Sequence, residues 1–178
     1  MRFDELDLKI LVALQANGRV TKLHLAEQIG LSPSPCWERL RRLEEAGLIR
    51  GYHADVAIER VTKMSVVFVE VTLRAHEAPD FIRFERAVLD VPEVVECHAT
   101  AGGFDYLLKV VTASVERYQN LIDELLTADI GIHRYFTYIV TQPIKRFTGY
   151  PLQRLIEASE GTRTSRGADP GRRPPRER

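Results

Sequence analysis

Apolar residues in the first 46 positions recur every three or four residues, which is the spacing of amphipathic helices. Three apolar stripes follow one another: Leu6, Ile10 and Leu14; Leu25, Ala26 and Ile29; and Cys36, Leu40 and Leu43. Asp4 and Asp7 form a capping-box-like start for the first helix, and Gly30 can end the second in the left-handed conformation. Ser32 or Ser34 can cap the third helix. The pattern therefore predicts three short helices joined by tight turns.

The third helix, residues 32–45, follows a short helix and a tight turn, as the reading helix of a helix-turn-helix does. The apolar and aromatic run 48–53 after it is typical of a strand and would add a wing. A plain three-helix bundle is the alternative. In that case the arginines of this region, Arg39, Arg41, Arg42 and Arg50, are only a solvated face. Net charge does not distinguish a DNA-binding unit from a plain helix bundle, because residues 1–60 contain nine Lys or Arg and nine Asp or Glu.

From residue 63 onward the pattern changes to the alternation of half-buried strands. It predicts, in order, a strand with Val67, Val69, Val71 and Leu73 on one face, a helix over 79–89, strands over 94–101 and 104–111, a helix through Tyr118 and Ile122, and a strand over 132–141. Gly102 and Gly103 would close the middle strands as a two-residue hairpin loop. This βαββαβ order yields a ferredoxin-like antiparallel sheet with both helices on one face. The other face, with Phe68, Tyr106 and Tyr138, would then need a partner.

Two stretches of the chain resemble a known family. Residues 31–52, LSPSPCWERLRRLEEAGLIRGY, resemble the recognition helix and wing of the Lrp/AsnC transcriptional regulators, also called feast/famine regulators. Residues 96–109, ECHATAGGFDYLLK, are similar to the Gly-x-x-Asp-Tyr signature of the family's effector domain. The resemblance covers roughly residues 3–148. It implies an α+β protein with an N-terminal winged helix-turn-helix and a C-terminal ferredoxin-like βαββαβ effector domain of the RAM or ACT-like kind.

The resemblance implies that the polar face of the third helix contacts double-stranded DNA. The candidate DNA-binding residues are Ser32, Ser34, Trp37, Glu38, Arg39, Arg41 and Arg42. Arginine can bond guanine bidentately or hold phosphates, and Glu38 can accept from a cytosine amino group or orient a neighbouring arginine. Effector domains of the family pair sheet to sheet, so a homodimer or higher homo-oligomer is implied. Two reading helices about 34 Å apart would then meet successive major grooves.

An amino-acid-like effector bound between effector domains is also implied. The candidate effector-binding residues are Gly102, Gly103, Asp105, Tyr106 and Thr137. Asp105 can pair with an ammonium group while glycine N–H groups approach the carboxylate. Alternatively, Asp105 only stabilises the hairpin and Tyr106 lies in a core or interface. Residues 35–39 and 129–138 look most like family members associated with ectoine use, whereas leucine or another ordinary amino acid is the broader expectation.

Composition narrows the remaining function classes. A chain of 178 residues with 44% hydrophobic content can bury one moderate or two small cores. No apolar leader or bilayer-length run occurs, so we expect a cytoplasmic protein with no membrane partner. Two cysteines and five scattered histidines lack metal-ligand spacing, and we assign no metal and no cofactor. No catalytic residues or phosphate-binding loop are recognisable, so an enzyme is disfavoured. A ligand-binding module without specific DNA binding is the other alternative.

The expected domain boundaries follow from these patterns. Residues 1–53 form the winged helix-turn-helix, 54–62 a linker, 63–148 the effector-binding and oligomerisation domain, and 149–178 a C-terminal extension. The last stretch, 161–178, is rich in Gly, Pro, Ser and Arg and carries six Arg against two acidic residues. We expect it to be disordered from about residue 161. It could add nonspecific DNA affinity or be an inert extension.

Overall fold

The computed structural model describes residues 3–165, with side chains described as far as Ser159. These residues form two compact units. One unit takes in Met1–Ala54 together with the segment that begins at Arg146, and the other is Asp55–Lys145. The described part of the C-terminal extension, up to residue 165, therefore belongs to the same unit as the N-terminal helices. None of the helices in the described range has the length and apolar character needed to cross a membrane.

The N-terminal unit contains the three helices that the apolar spacing predicts. They are α1, Glu5–Ala16; α2, Lys22–Ile29; and α3, Pro33–Glu45. Asp4 and Asp7 form a complete capping box, which confirms the predicted start of α1. Gly30 ends α2 at φ 74°, as its position in the sequence suggested. Seven hydrophobic side chains form the buried core of this unit, and all come from the three predicted stripes.

The predicted strand over 48–53 is wrong. These residues form a bend followed by irregular chain, in which Ile49 packs against the helical core and the Tyr52 hydroxyl donates to Glu44 at 2.8 Å. A strand needs a neighbouring strand to complete its hydrogen bonds, and the regular elements described for this unit are all helices. The segment after α3 does not form a β-ladder and is held by these side-chain contacts and by the Leu48 and Ile49 N–H groups, which donate to the Leu43 carbonyl.

The second unit has the predicted βαββαβ order. Its elements are β1, Ser65–Leu73; α4, Ala78–Leu89; β2, Val94–Ala99; β3, Tyr106–Thr112; α5, Val115–Thr127; and β4, Ile132–Ile139. The strands pair antiparallel in the order β2-β3-β1-β4. Alternate residues of β1 and β3 are buried, and they form one core with the inward sides of α4 and α5. One face of the sheet is thus covered by helices, and the opposite face is not covered within this unit.

Two details of this unit differ from the sequence predictions. Six residues, 100–105, connect β2 to β3, so the two-residue loop at Gly102 and Gly103 is wrong. The Thr100 N–H donates to the Asp105 carbonyl and its hydroxyl donates to the Phe104 carbonyl, which stabilises this wider loop. Tyr106 lies on the helix-covered face, not on the open one, because it pairs with buried Val71.

A sixth helix, α6, Leu152–Ser165, is not suggested by the sequence patterns. It packs against α1, and the side chain of Gln15 makes two hydrogen bonds to the backbone of Tyr150 just before it. The helix continues past residue 161, where the prediction placed the onset of disorder. The rest of that predicted tail, 166–178, lies outside the described residues.

Candidate DNA-binding and effector sites

The exposed side of α3 carries five of the seven residues predicted to contact DNA. They are Ser32, Ser34, Trp37, Glu38 and Arg41. Ser32 is the N-cap residue but its side chain makes no capping bond. The helix instead begins with prolines, whose fixed φ angle already suits the first helical turn. The Ser32 hydroxyl is therefore available at the start of the helix, where exposed N–H groups favour a phosphate. The Arg41 side chain is 64% exposed and lies 3.5 Å from Glu45 one turn along.

Arg39 and Arg42, the other two predicted DNA contacts, are held against α1. Arg39 Nη1 bonds both carboxylate oxygens of Asp4 at 2.8 Å and Asp7 Oδ1 at 2.9 Å. Arg42 Nη2 bonds the two oxygens of Asp7 at 3.1 and 3.2 Å. Their side chains are 24% and 47% exposed, against 64% for Arg41. In this arrangement Arg41 is the most accessible of the three guanidinium groups.

Asp7 is the centre of this network. Its side chain is fully buried, and a buried carboxylate is tolerated only when its oxygens are paired. Arg39, Arg42 and the backbone N–H of Asp4 supply that pairing. The Asp7 N–H, which donates to Asp4 Oδ1 at 3.0 Å, and after it the Arg39 guanidinium lower the pKa of Asp4. The aspartates were visible in the sequence as a helix cap, but their role in holding α3 was not.

Trp37 is in contact with a residue of α2. The Lys22 ammonium lies 3.1 Å from the centre of the Trp37 ring, in cation–π geometry. The indole is 39% exposed, so one part of it packs on α2 and another part faces outward. Because residue spacing within α3 gives no information about contacts to α2, the sequence analysis missed Lys22.

Asp105, the leading effector candidate, caps the end of β1. Its Oδ2 accepts from the Leu73 N–H at 2.8 Å, and its two oxygens lie 3.1 Å from Nε2 of His76. The Asp105 side chain is 19% exposed, so part of the carboxylate still reaches the surface. Asp105 therefore stabilises the end of β1 and the segment after it, which is the structural role that the sequence analysis gave as the alternative. His76, which the sequence analysis passed over, is its partner.

The other effector candidates do not form one pocket with Asp105 in a single subunit. Gly102 and Gly103 are exposed in the loop between β2 and β3. Tyr106 is buried among the helices, where it lies 4.5 Å from the ring of Phe84 and donates to Glu85 at 2.8 Å. Burial, followed by that hydrogen bond, raises the pKa of Tyr106. The Thr137 hydroxyl lies 2.5 Å from that of Tyr118, on the same helix-covered side.

The open face of the sheet carries large apolar groups among charged ones. Phe136 and Tyr138 on β4 are about half exposed, at 51% and 50%, and Phe68 on the neighbouring β1 pairs with Tyr138. Lys109 on β3 bonds Glu96 on β2 at 2.6 Å across the same face. A sheet face of this kind resembles the centre of a protein interface, with aromatic side chains and paired charges around them.

Histidine, cysteine, aspartate and glutamate side chains could hold a metal ion only where three or more converge. Within the described range no such group occurs. Cys36 is buried in the helical core and Cys97 is exposed on β2, and burial is the main cause that raises the pKa of both thiols.

Comparison with known proteins identifies both units. Residues 3–50 match a sequence model described as winged helix-turn-helix DNA-binding, and residues 66–150 match one described as Lrp/AsnC ligand binding domain. Together they define a DNA-binding regulator with an effector domain. The chain belongs to the Lrp/AsnC family of transcriptional regulators, a family of regulators and not of enzymes.

Curated relatives and solved structures agree with this assignment. The chain is 54% identical to transcriptional regulatory protein DoeX of Halomonas elongata over 146 residues, which is 82% of this chain and 92% of that protein. It is 41% identical to the leucine-responsive regulatory protein of Escherichia coli, over 80% of this chain and 87% of that one. A transcriptional regulator of Neisseria meningitidis solved with L-methionine has a TM-score of 0.80 at 35% identity, covering 86% of this chain and 99% of that chain.

Proposed function

We propose that the chain binds a specific duplex as a homodimer, and that an amino acid or amino-acid derivative bound between effector domains changes its DNA affinity. The observation that carries the proposal is the exposed side of α3, which presents Ser34, Glu38 and Arg41 together. These side chains can form hydrogen bonds with base edges in a major groove. The similar relatives are bacterial proteins, and bacterial DNA lies in the cytoplasm, so we expect the chain to act there.

Within α3, we propose that the predicted contacts divide into two groups. Ser34, Glu38 and Arg41 meet the bases, with Ser32 at a phosphate and Trp37 beside them. Arg39 and Arg42 orient the helix through α1, because their bonds to Asp7 would have to break before they could reach DNA. This division assigns base discrimination to the most exposed arginine of the helix.

The open face of the sheet supports a dimer formed through that face. Half-exposed Phe136 and Tyr138 would lose water-exposed apolar surface against a second copy, at about 25 cal/mol per Å². A two-fold arrangement would also provide two α3 helices for the two halves of a pseudo-palindromic site. Higher homo-oligomers are compatible with the same contact.

For the effector, we propose a site at Gly102, Gly103 and Asp105 that a second subunit completes. The exposed glycines allow an amino-acid carboxylate to approach their backbone, and the accessible part of Asp105 can pair with an ammonium group. Tyr106 and Thr137 face the helices and would act through packing. The complex of the Neisseria relative with L-methionine supports an amino acid as the ligand class. Ectoine derivatives remain a proposal from the sequence resemblance.

The test is binding of the purified protein to the duplex upstream of its own gene and to a scrambled duplex at physiological salt. The panel of added compounds contains the common amino acids and ectoine derivatives. We expect tighter binding to the upstream duplex, and one compound that changes this affinity. Equal binding to both duplexes, with a compound still bound, would contradict the proposal and favour a ligand-binding module that does not read DNA.

A further inference from the structure

We propose that His76 is a specificity-determining residue of the effector site, because its imidazole occupies the place on the Asp105 carboxylate that the cationic group of an effector must take. An effector then binds by displacing His76, and a compound without a cationic N–H group cannot do so. This role rests on the proposed function, because it concerns the same effector site. It adds the side chain that competes for Asp105 and a dependence of effector affinity on pH.

The Asp105 carboxylate is fixed to β1 on one side and covered by His76 on the other. Its Oδ2 accepts from the Leu73 N–H, and the Asp105 N–H donates to the Val71 carbonyl at 2.9 Å. The Nε2 atom of His76 lies 3.1 Å from each carboxylate oxygen, which is a position from which a cationic N–H group interacts with both. The His76 side chain is 58% exposed, so it covers the carboxylate from the solvent side.

Phe81 on α4 forms an aromatic neighbour for whatever group is bound at Asp105. Its ring centre lies 6.1 Å from that of His76, with the ring planes tilted by 54°. Phe81 also packs against the core of the effector unit, with its ring centre 6.3 Å from that of Tyr106. It is therefore held in place independently of His76 and stays beside the carboxylate when the imidazole leaves. A carboxylate next to an aromatic ring suits a cationic group attached to apolar carbon, as in an α-amino acid.

The competition between His76 and an effector depends on pH. Histidine is the side chain that ordinarily changes charge between about pH 5 and 8. With a proton, the His76 imidazole makes a charge-assisted bond to Asp105, which is stronger than the bond of a neutral ring. The ammonium group of an amino acid keeps its charge over the same range. Effector affinity should therefore rise as the pH rises and His76 loses its proton.

The contacts of His76 single out Asp105 as the group that responds to its charge. Its neighbours in the structure are this carboxylate and the uncharged ring of Phe81. Other charged side chains of the segment after β1 and of α4 are those of Arg74, Glu77, Asp80 and Glu85. The first pairs with Asp129, the third with Arg83, and the last accepts from the Tyr106 hydroxyl. Glu77 is the N-cap residue of α4, and its side chain makes no capping bond.

The experiment compares the unchanged full chain with His76→Gln and His76→Ala at pH 5.5 and pH 7.5. Calorimetry measures the affinities for L-methionine, L-leucine and ectoine, and for N-acetyl-L-methionine as a compound without a cationic group. His76→Gln keeps a neutral amide donor, whereas His76→Ala leaves the carboxylate open. His24→Gln is the matched control, because His24 also lies beside a carboxylate, Glu27 at 3.5 Å, but in the N-terminal unit.

We expect the unchanged protein to bind at least one of the three cationic compounds about 5- to 10-fold more tightly at pH 7.5 than at pH 5.5, since a charge-assisted bond to Asp105 exceeds a neutral one by about that factor. His76→Ala should bind this compound tightly at both pH values. His76→Gln should show intermediate affinity and no dependence on pH. His24→Gln should behave like the unchanged protein, and N-acetyl-L-methionine should gain no affinity from either change at His76.

Weaker binding by His76→Ala at both pH values would overturn the inference, because it would show that His76 contacts the effector instead of competing with it. So would an equal pH dependence in His76→Ala and the unchanged protein, or a lack of binding of every compound to every version. The proposed function is tested separately by adding the bound compound to the protein with the upstream and the scrambled duplex. Equal affinity for both duplexes would reject that function, while the result for His76 would still stand.

Discussion

The two units of the chain are stabilised in different ways. The N-terminal unit buries seven hydrophobic side chains and one carboxylate, Asp7, whose oxygens bind two arginines of α3. The effector unit buries fourteen hydrophobic side chains between one sheet face and two helices. The small helical unit thus depends on ion pairs to hold α3, whereas the sheet unit depends on apolar burial and leaves its other face uncovered.

This difference predicts that added salt destabilises the N-terminal unit more than the effector unit. Partly exposed ion pairs weaken as salt screens them, whereas apolar burial does not weaken in this way. The sequence contains one tryptophan, and Trp37 lies in the N-terminal unit. Its fluorescence therefore follows that unit, while circular dichroism follows both. The experiments on Asp7 and Asp4 below use this separation.

The largest effect is expected from Phe84→Ala in the effector unit. Phe84 is fully buried against Tyr106, and removing a buried phenyl ring costs about 3–5 kcal/mol of unfolding free energy. The cost should be the same at low and high salt in urea unfolding followed by circular dichroism. Ile82→Ala on the exposed side of the same helix is the control and should cost about 0.5 kcal/mol or less. A strong salt dependence of the Phe84 effect would contradict the comparison.

Asp7→Asn should destabilise the N-terminal unit by about 2–3 kcal/mol. The amide cannot balance the charges of Arg39 and Arg42, although both arginines are partly exposed, which limits the loss. Urea unfolding followed by Trp37 fluorescence measures the change, and high salt should reduce the difference from the unchanged protein. Glu5→Gln in the same helical turn removes an exposed charge and should have little effect. Equal midpoints for Asp7→Asn and Glu5→Gln would refute the proposed network.

The sequence predicted correctly those features of the fold that depend on residues close together in the chain. The capping box, the left-handed Gly30 and the alternation of β1 are decided by neighbouring residues, and all are present. Other features depend on which elements lie nearby. Residues 48–53 have no neighbouring strand among the described residues, so the strand predicted there from spacing is wrong, and the spacing gave no signal for helix α6. The arginines of α3 show the same limit: a helical wheel places Arg39 and Arg41 on different sides of the helix, but only the position of Asp7 on α1 shows that Arg39 and Arg42 are the paired ones.

Two substitutions of Asp105 distinguish its structural role from its proposed role in effector binding. Asp105→Asn keeps an oxygen for the Leu73 N–H but loses the charge, so we expect near-normal stability and strongly reduced effector affinity. Asp105→Ala loses the oxygen as well as the charge. We therefore expect reduced effector affinity and, from the unpaired Leu73 N–H group, a loss of about 1–2 kcal/mol of unfolding free energy. Basal DNA binding should remain in both variants. Calorimetry showing normal effector affinity for Asp105→Asn would remove this carboxylate from the proposed site.

The smallest effect concerns acid. The Asp7 N–H and Arg39 lower the pKa of Asp4 below its ordinary value of 3.8. The stability that ionised Asp4 contributes is therefore complete above that value and is lost as the pH falls through the lower pKa of the folded state. Urea midpoints from Trp37 fluorescence should fall on acidification below about pH 4, and Asp4→Asn should flatten this fall. An identical acid profile for Asp4→Asn would contradict the assignment.

The central claim, that Arg41 contacts bases while Arg42 holds α3 in place, is tested most directly by a base-substitution series. Arg41→Ala and Arg42→Ala are titrated with upstream duplexes that carry single base-pair changes, and their urea midpoints are measured alongside. We expect Arg41→Ala to lose about 1–3 kcal/mol of discrimination at one base pair with an unchanged midpoint. Arg42→Ala should lower the midpoint and keep the base preference. Unaltered preference in Arg41→Ala, or a lost preference in Arg42→Ala at an unchanged midpoint, would contradict the account.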